Sequence, residues 1–138
     1  MEDAVALLIG HGSKLEIQKK MIERLAESVK SRRIFADVFY AFMNVNRPTI
    51  REAMADIVSR GYRKVIAIPV FLSDGVHTTE DIPKELGLEN GQREGVVDFN
   101  GVKVRVLYAR TIGYDERIAD ILVERGKEAV ENSKEFTR

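Results

Sequence analysis

The chain has 138 residues, 44% hydrophobic and 32% charged, enough for one domain that buries roughly two-thirds of its unfolded surface. Lys plus Arg equals Asp plus Glu at 22 each, which argues against a general nucleic-acid or membrane-surface binder. There is no Cys, so disulfides and thiolate metal sites are excluded; with no apolar run of bilayer length and no signal peptide before the first strand, a cytoplasmic protein is expected.

The apolar run 4–9 stops at Gly10-His11-Gly12-Ser13 and reads as a strand buried on both faces, as in a parallel sheet. Gly10 and Gly12 allow a sharp turn and close approach of a ligand. His11 is thereby held at the strand's carboxyl end, where open α/β sheets bind ligands. Ser13 and Glu16 have capping-box spacing. The helix they open is expected over 14 to about 30, with Leu15, Ile22, Leu25 and Val29 on one face. A second strand is expected over 38–42. Pro48 suits the first position of a second helix, whose stripe is Ile50, Ala53, Met54, Ile57 and Val58 and whose end is Gly61.

The third strand is expected over 65–72, with Pro69 near its end because proline lacks an N–H. After a loop ending at His77, Thr78 or Thr79 starts a short helix with Pro83 near its first turn and Gly87 as its stop. The polar stretch 88–101 contains a candidate hairpin, 96–99 with 102–104 around Asn100-Gly101. A fourth main strand is expected over 104–109. Asp115 caps a last helix with Ile118, Ile121, Leu122 and Ala129 inward, and the polar end 132–138 is expected to fray. Alternating strands and helices predict an α/β domain with a parallel four-stranded sheet flanked by helices. Right-handed crossovers put every strand-to-helix loop at one end of that sheet. His11, Asn44, Arg47, His77 and Gly113 therefore converge.

His11 and His77 are the chain's 2 histidines. Either alone suits a loop-capping role; two at equivalent places beside glycines point to a shared cleft. Imidazole nitrogen suits Co²⁺, Ni²⁺, Fe²⁺ or Zn²⁺. Two imidazoles fall short of a structural zinc cage, which needs four ligands, and fit a transfer point with open positions. Histidine is also the natural base near neutral pH. Both roles need the neutral ring, so activity is expected to fall as pH drops through roughly 6.5. Arg47 suits a carboxylate partner or a solvated surface. Ser73, Asp74 and Gly75 offer hydroxyl, carboxylate and bare backbone to a ligand, or form an ordinary turn. Glu80 and Asp81 read as first-turn helix acids. No Walker motif, GxGxxG, GxSxG or HExxH occurs.

Taken together, Gly10-His11-Gly12-Ser13, Phe42-Met43, Arg47-Pro48-Thr49-Ile50, Pro69-Val70-Phe71-Leu72, Gly75-Val76-His77-Thr78-Thr79-Glu80-Asp81-Ile82-Pro83 and Ile112-Gly113-Tyr114-Asp115-Glu116-Arg117-Ile118 resemble the short archaeal class II chelatases. These are the small CbiX-type sirohydrochlorin cobaltochelatases, also described as nickelochelatases. The resemblance covers nearly the whole chain.

It implies a flavodoxin-like chelatase fold over 1–138, one lobe of a two-lobed tetrapyrrole cleft completed in a homodimer. It implies ATP-independent insertion of Co²⁺ or Ni²⁺ into sirohydrochlorin, in cobalamin or coenzyme F430 biosynthesis, with the metal as co-substrate and no organic cofactor. Transferred residue by residue, His11 is the proton acceptor and a metal ligand, and His77 the second metal ligand. Leu72, Ser73, Asp74, Gly75 and Val76 contact the macrocycle, as does Arg47. The chain departs from the pattern at Asn44, Arg47 and Arg110, where relatives often carry acids. A tetrapyrrole or metal carrier without turnover is the main alternative. A phosphoryl-transfer enzyme using His11 as nucleophile would need several arginines converging on the site.

Overall fold

The computed structural model describes residues 3–89 and 91–136. The elements in chain order are β1 (Val5–Gly10), α1 (Glu16–Ser31), β2 (Val38–Phe42), α2 (Ile50–Ser59), β3 (Lys64–Pro69), a π-helical turn (His77–Asp81), α3 (Ile82–Leu86), β4 (Glu94–Phe99), β5 (Val102–Tyr108) and α4 (Glu116–Glu131). One sheet has the order β2-β1-β3-β5-β4. β2, β1, β3 and β5 run parallel, as expected, and β4 adds a fifth, antiparallel strand at the edge. The hairpin turns at Asn100 and Gly101, whose φ values of 52° and 83° are those of the two-residue turn that matches strand twist.

All six residues of β1 are buried, which is why it reads as an unbroken apolar run. Val5, Leu7 and Ile9 pair in register with Val65, Ala67 and Pro69. They join the main core with Val104, Val106, Tyr108, Ile50, Ala53, Met54, Ile57, Ile82 and Leu86. Thus α2 and α3 cover one face of the sheet. Pro69 ends β3, where its missing N–H breaks no ladder. α2 has the expected buried stripe, although its cap is Thr49, in a capping box with Glu52, and Pro48 lies one residue outside.

The opposite face is half covered. There α1 buries only Ile22 and Ala26. Of the stripe expected for it, Leu15, which lies at the cap position outside the helix, is 63% and Leu25 39% exposed. Nor does the Ser13–Glu16 capping box form: α1 begins at Glu16, and the Ser13 hydroxyl instead accepts from the Leu15 N–H at 3.0 Å. α4 corrects the sequence reading most. None of its residues is buried, and Ile121, Leu122 and Ala129, expected inward, are exposed. The helix makes only marginal contact with the rest of the fold, so its apolar stripe has nothing to pack on. Correspondingly Leu107 and Val96 are exposed and Ile66 and Ile68 half-buried on the sheet face that α1 does not reach.

Among the described residues no helix is long and apolar enough to cross a membrane. Asn90, within the polar stretch, and Thr137 and Arg138, in the tail expected to fray, lie outside the described residues.

Candidate active site

The loops at the carboxyl ends of β1, β2, β3 and β5 are tied together by backbone hydrogen bonds. The Met43 N–H donates to the Gly10 carbonyl at 3.0 Å and the Asn44 N–H to the His11 carbonyl at 3.2 Å. The Ser13 N–H donates to the Asn46 side-chain oxygen at 2.7 Å. On the other side the Ile112 N–H donates to Phe71 at 2.9 Å and the Gly113 N–H to Leu72 at 2.7 Å. The first and third loops are thus each anchored to a neighbour. Gly12 is where the fit is closest. Its φ is 99°, and an added Cβ would lie 1.8 Å from the Asn44 carbonyl oxygen.

β1 and β3 are paired neighbours in the sheet, and with their loops so held the two histidines come together. The His11 and His77 ring centroids are 5.1 Å apart in an edge arrangement, and Phe71 meets the His11 ring from 6.2 Å. Both imidazoles are exposed. Each is fixed through Nδ1. His11 Nδ1 donates to the Gly12 carbonyl at 3.0 Å, and His77 Nδ1 to the Asp81 carboxylate at 2.7 Å. Both partners are acceptors, so each neutral ring carries its proton on Nδ1 and leaves the Nε2 lone pair free. A carboxylate behind a histidine also orients the ring and raises its basicity as a ligand.

Asp81 was legible only as a helix acid. Its part in the site depends on the π-helical turn, although its spacing of four residues from His77 is one that lets helical side chains meet. A recess of about 280 Å³ beside this pair is lined by Met43, Asn44, His77, Asp81, Lys84 and Glu85. Among the described residues no group of three or more His, Cys, Asp or Glu side chains is placed to hold a metal.

The remaining candidates divide. Leu72 and Val76 are exposed apolar side chains in the loop before His77, and Ser73 is exposed too. Gly75 has no atom within 4 Å of an added Cβ and no left-handed φ, so nothing inside the chain requires glycine there. Asp74 is exposed as well, and its carboxylate accepts from the hydroxyls of Thr78 at 3.2 Å and Thr111 at 3.4 Å. Arg47 is occupied. Its guanidinium pairs with Glu52, whose carboxyl is held down to about 2, chiefly by that arginine and then by the Thr49 N–H. Arg110 adds an attraction to Asp115, whose carboxyl Arg117 holds well below the usual range. The structure assembles no converging set of guanidiniums for a phosphate among the described residues.

The sequence profile of the CbiX family matches residues 5–129. The chain belongs to the CbiX family. A sirohydrochlorin cobaltochelatase of Methanococcoides burtonii is 36% identical over 131 residues, 94% of this chain and 100% of its own. One from Methanosarcina barkeri is 40% identical over 125 residues, covering 90% and 95%. The fold of this CbiX-family chain matches a crystal structure of the sirohydrochlorin chelatase SirB from Bacillus subtilis subspecies spizizenii in complex with cobalt, with a TM-score of 0.76 at 22% identity. That match covers 91% of this chain and 50% of SirB, so the CbiX-family chain spans about half of SirB's length.

Proposed function

We propose that this chain is a cytoplasmic sirohydrochlorin chelatase that inserts Co²⁺ or Ni²⁺ without ATP. The observation that carries the reading is the pair of imidazoles 5.1 Å apart, each held through Nδ1 by an acceptor. Free Nε2 lone pairs give a divalent ion two nitrogen ligands and leave its other positions open. That suits a metal handed on as substrate better than one retained. Asp81 strengthens His77 as the holding ligand. His11, backed by a neutral carbonyl, is the proton acceptor. It takes a pyrrole proton at Nε2 as the metal–pyrrole bond forms. Leu72 and Val76 offer the macrocycle apolar contact, with Ser73, Asp74 and Gly75 in the same loop. Arg47 serves a peripheral carboxylate by exchanging Glu52 for it.

The second lobe, in this reading, is a second copy of the chain. A recess of about 280 Å³ lies below the roughly 300–1,000 Å³ typical of small-molecule sites, too small to enclose a tetrapyrrole. The uncovered sheet face at Ile66, Ile68, Leu107 and Val96 and the unpacked α4 are complementary needs within one chain. Two copies that exchange α4 meet both.

Anaerobic incubation with sirohydrochlorin and each metal, followed by absorbance, tests the function. Many turnovers per chain are expected with Co²⁺ or Ni²⁺, above the spontaneous rate. Uptake that stops at one equivalent makes the protein a carrier instead.

A further inference from the structure

His77 stands on a π-helical turn, and the turn has an identifiable cause. In an α-helix the Ile82 N–H would reach the Thr78 carbonyl. Here it donates one residue further back, to His77. In that wider register the next N–H able to reach Thr78 belongs to residue 83, and Pro83 has none. Thr78 is 2% exposed, so its carbonyl has no access to bulk water. A buried carbonyl without a donor is costly.

The missing donor comes from another element. The Tyr108 hydroxyl, at the end of β5 and buried, donates to the Thr78 carbonyl at 2.8 Å. Arg93 lies over the same ring, 4.9 Å from its centroid. Burial pushes the Tyr108 phenol up to about 12, so the hydroxyl keeps its proton at neutral pH. The Thr78 side chain is held as well. Its hydroxyl accepts from the Gly75 N–H at 2.9 Å and faces Asp74 at 3.2 Å and the Gly75 carbonyl at 3.1 Å.

We propose that Tyr108 is a positioning residue for His77: its hydroxyl replaces the N–H that Pro83 lacks and so holds the turn in the register that sets His77 beside His11. The role of His77 itself rests on the chelatase reading. Without the hydroxyl, the Ile82 N–H is drawn back to Thr78, the turn tightens toward α-helix, and His77 rotates away from both His11 and Asp81.

Tyr108→Phe removes the hydroxyl and keeps the ring. The expected result is a shift of the His77 imidazole ¹⁵N resonances and faster amide exchange at Ile82. The kcat for insertion should fall by about 10- to 100-fold, as for other small misplacements of a reacting group, with KM for the tetrapyrrole little changed. Val106→Ala, on the same strand and away from Thr78, serves as the stability control and should lower the melting temperature while leaving kcat intact. Unmoved His77 resonances with normal kcat in Tyr108→Phe would overturn the proposal, as would an equal loss of kcat in Val106→Ala.

Adding Pro83→Ala to Tyr108→Phe restores an N–H at position 83, and should recover the His77 resonances and much of kcat. Should Tyr108→Phe fail to fold, refolding of that double variant supports the proposal and continued failure rejects it. If the resonances move in Tyr108→Phe but the wild type inserts no metal, the chelatase reading fails and the positioning role stands.

Discussion

A methyl group at position 12 has no room. Gly12→Ala would combine a left-handed φ with a Cβ 1.8 Å from the Asn44 oxygen. Strain of this kind costs about 1–3 kcal/mol before the clash is counted, and relief means separating the loops that carry His11 and Asn44. A lowered urea midpoint together with lost insertion is expected. His11→Ala lies outside any packed core and should abolish insertion with a melting temperature close to wild type, since exposed substitutions cost little. Asp81→Ala should weaken Co²⁺ binding by roughly 10- to 100-fold, the usual effect of removing the carboxylate behind a ligating histidine; titration calorimetry checks it. Gly75→Ala, which meets nothing in the chain, should leave stability unchanged and, on the proposed reading in which this loop contacts the macrocycle, raise KM. The two histidines were legible in the sequence because each follows a buried strand and sits near glycine. Asp81 and Tyr108 were not. One acts through a helical register that no apolar periodicity encodes, and the other looks like any inward residue of a strand.

At the scale of elements, α2 and its cap give the clearest test. Thr49 accepts from the Glu52 N–H at 3.1 Å, and Glu52 accepts from the Thr49 N–H at 2.9 Å. Thr49→Ala should cost about 1 kcal/mol, read from the urea midpoint. Arg47 and then the Thr49 N–H hold the Glu52 carboxyl down to about 2 in the folded protein. An unfolded chain protonates it in the ordinary glutamate range. The stability this carboxylate contributes is therefore complete above that range and is lost as pH falls from there toward 2. Glu52→Gln should flatten the acid limb of the stability profile between those limits. Sequence spacing found the α2 stripe because the helix packs on a full sheet face. It misjudged α1 at Leu15 and Leu25: the helix starts only at Glu16 and buries Ile22 and Ala26 alone. Pro48 and Ser13 each sit close to a helix start, but the caps are set by which N–H groups the neighbouring loops already hold, and that is a long-range property. Asn46, for example, occupies the Ser13 N–H.

For the molecule as a whole, the four parallel strands were legible from apolar runs separated by helical patterns. The edge strand β4 was visible only as half of a hairpin. The position of α4 was not legible at all, because amphipathic spacing says that a helix has an apolar face and not which surface will cover it. Here that face and the bare half of the sheet lie in the same chain without meeting. On the proposed pairing, light scattering should give twice the monomer mass, and Leu122→Glu should halve it while leaving β-sheet circular dichroism in place.

On the proposed pairing, the half-open sheet also makes the integrity of the site a matter of mass action. If cover for Leu107 and Val96 arrives only from another molecule, dilution below the dissociation constant of the pair dismantles the cleft. Specific activity should then fall as the enzyme is thinned and recover on reconcentration. Two copies joined in tandem by a flexible linker should keep full activity at dilutions where the separate chains have lost theirs.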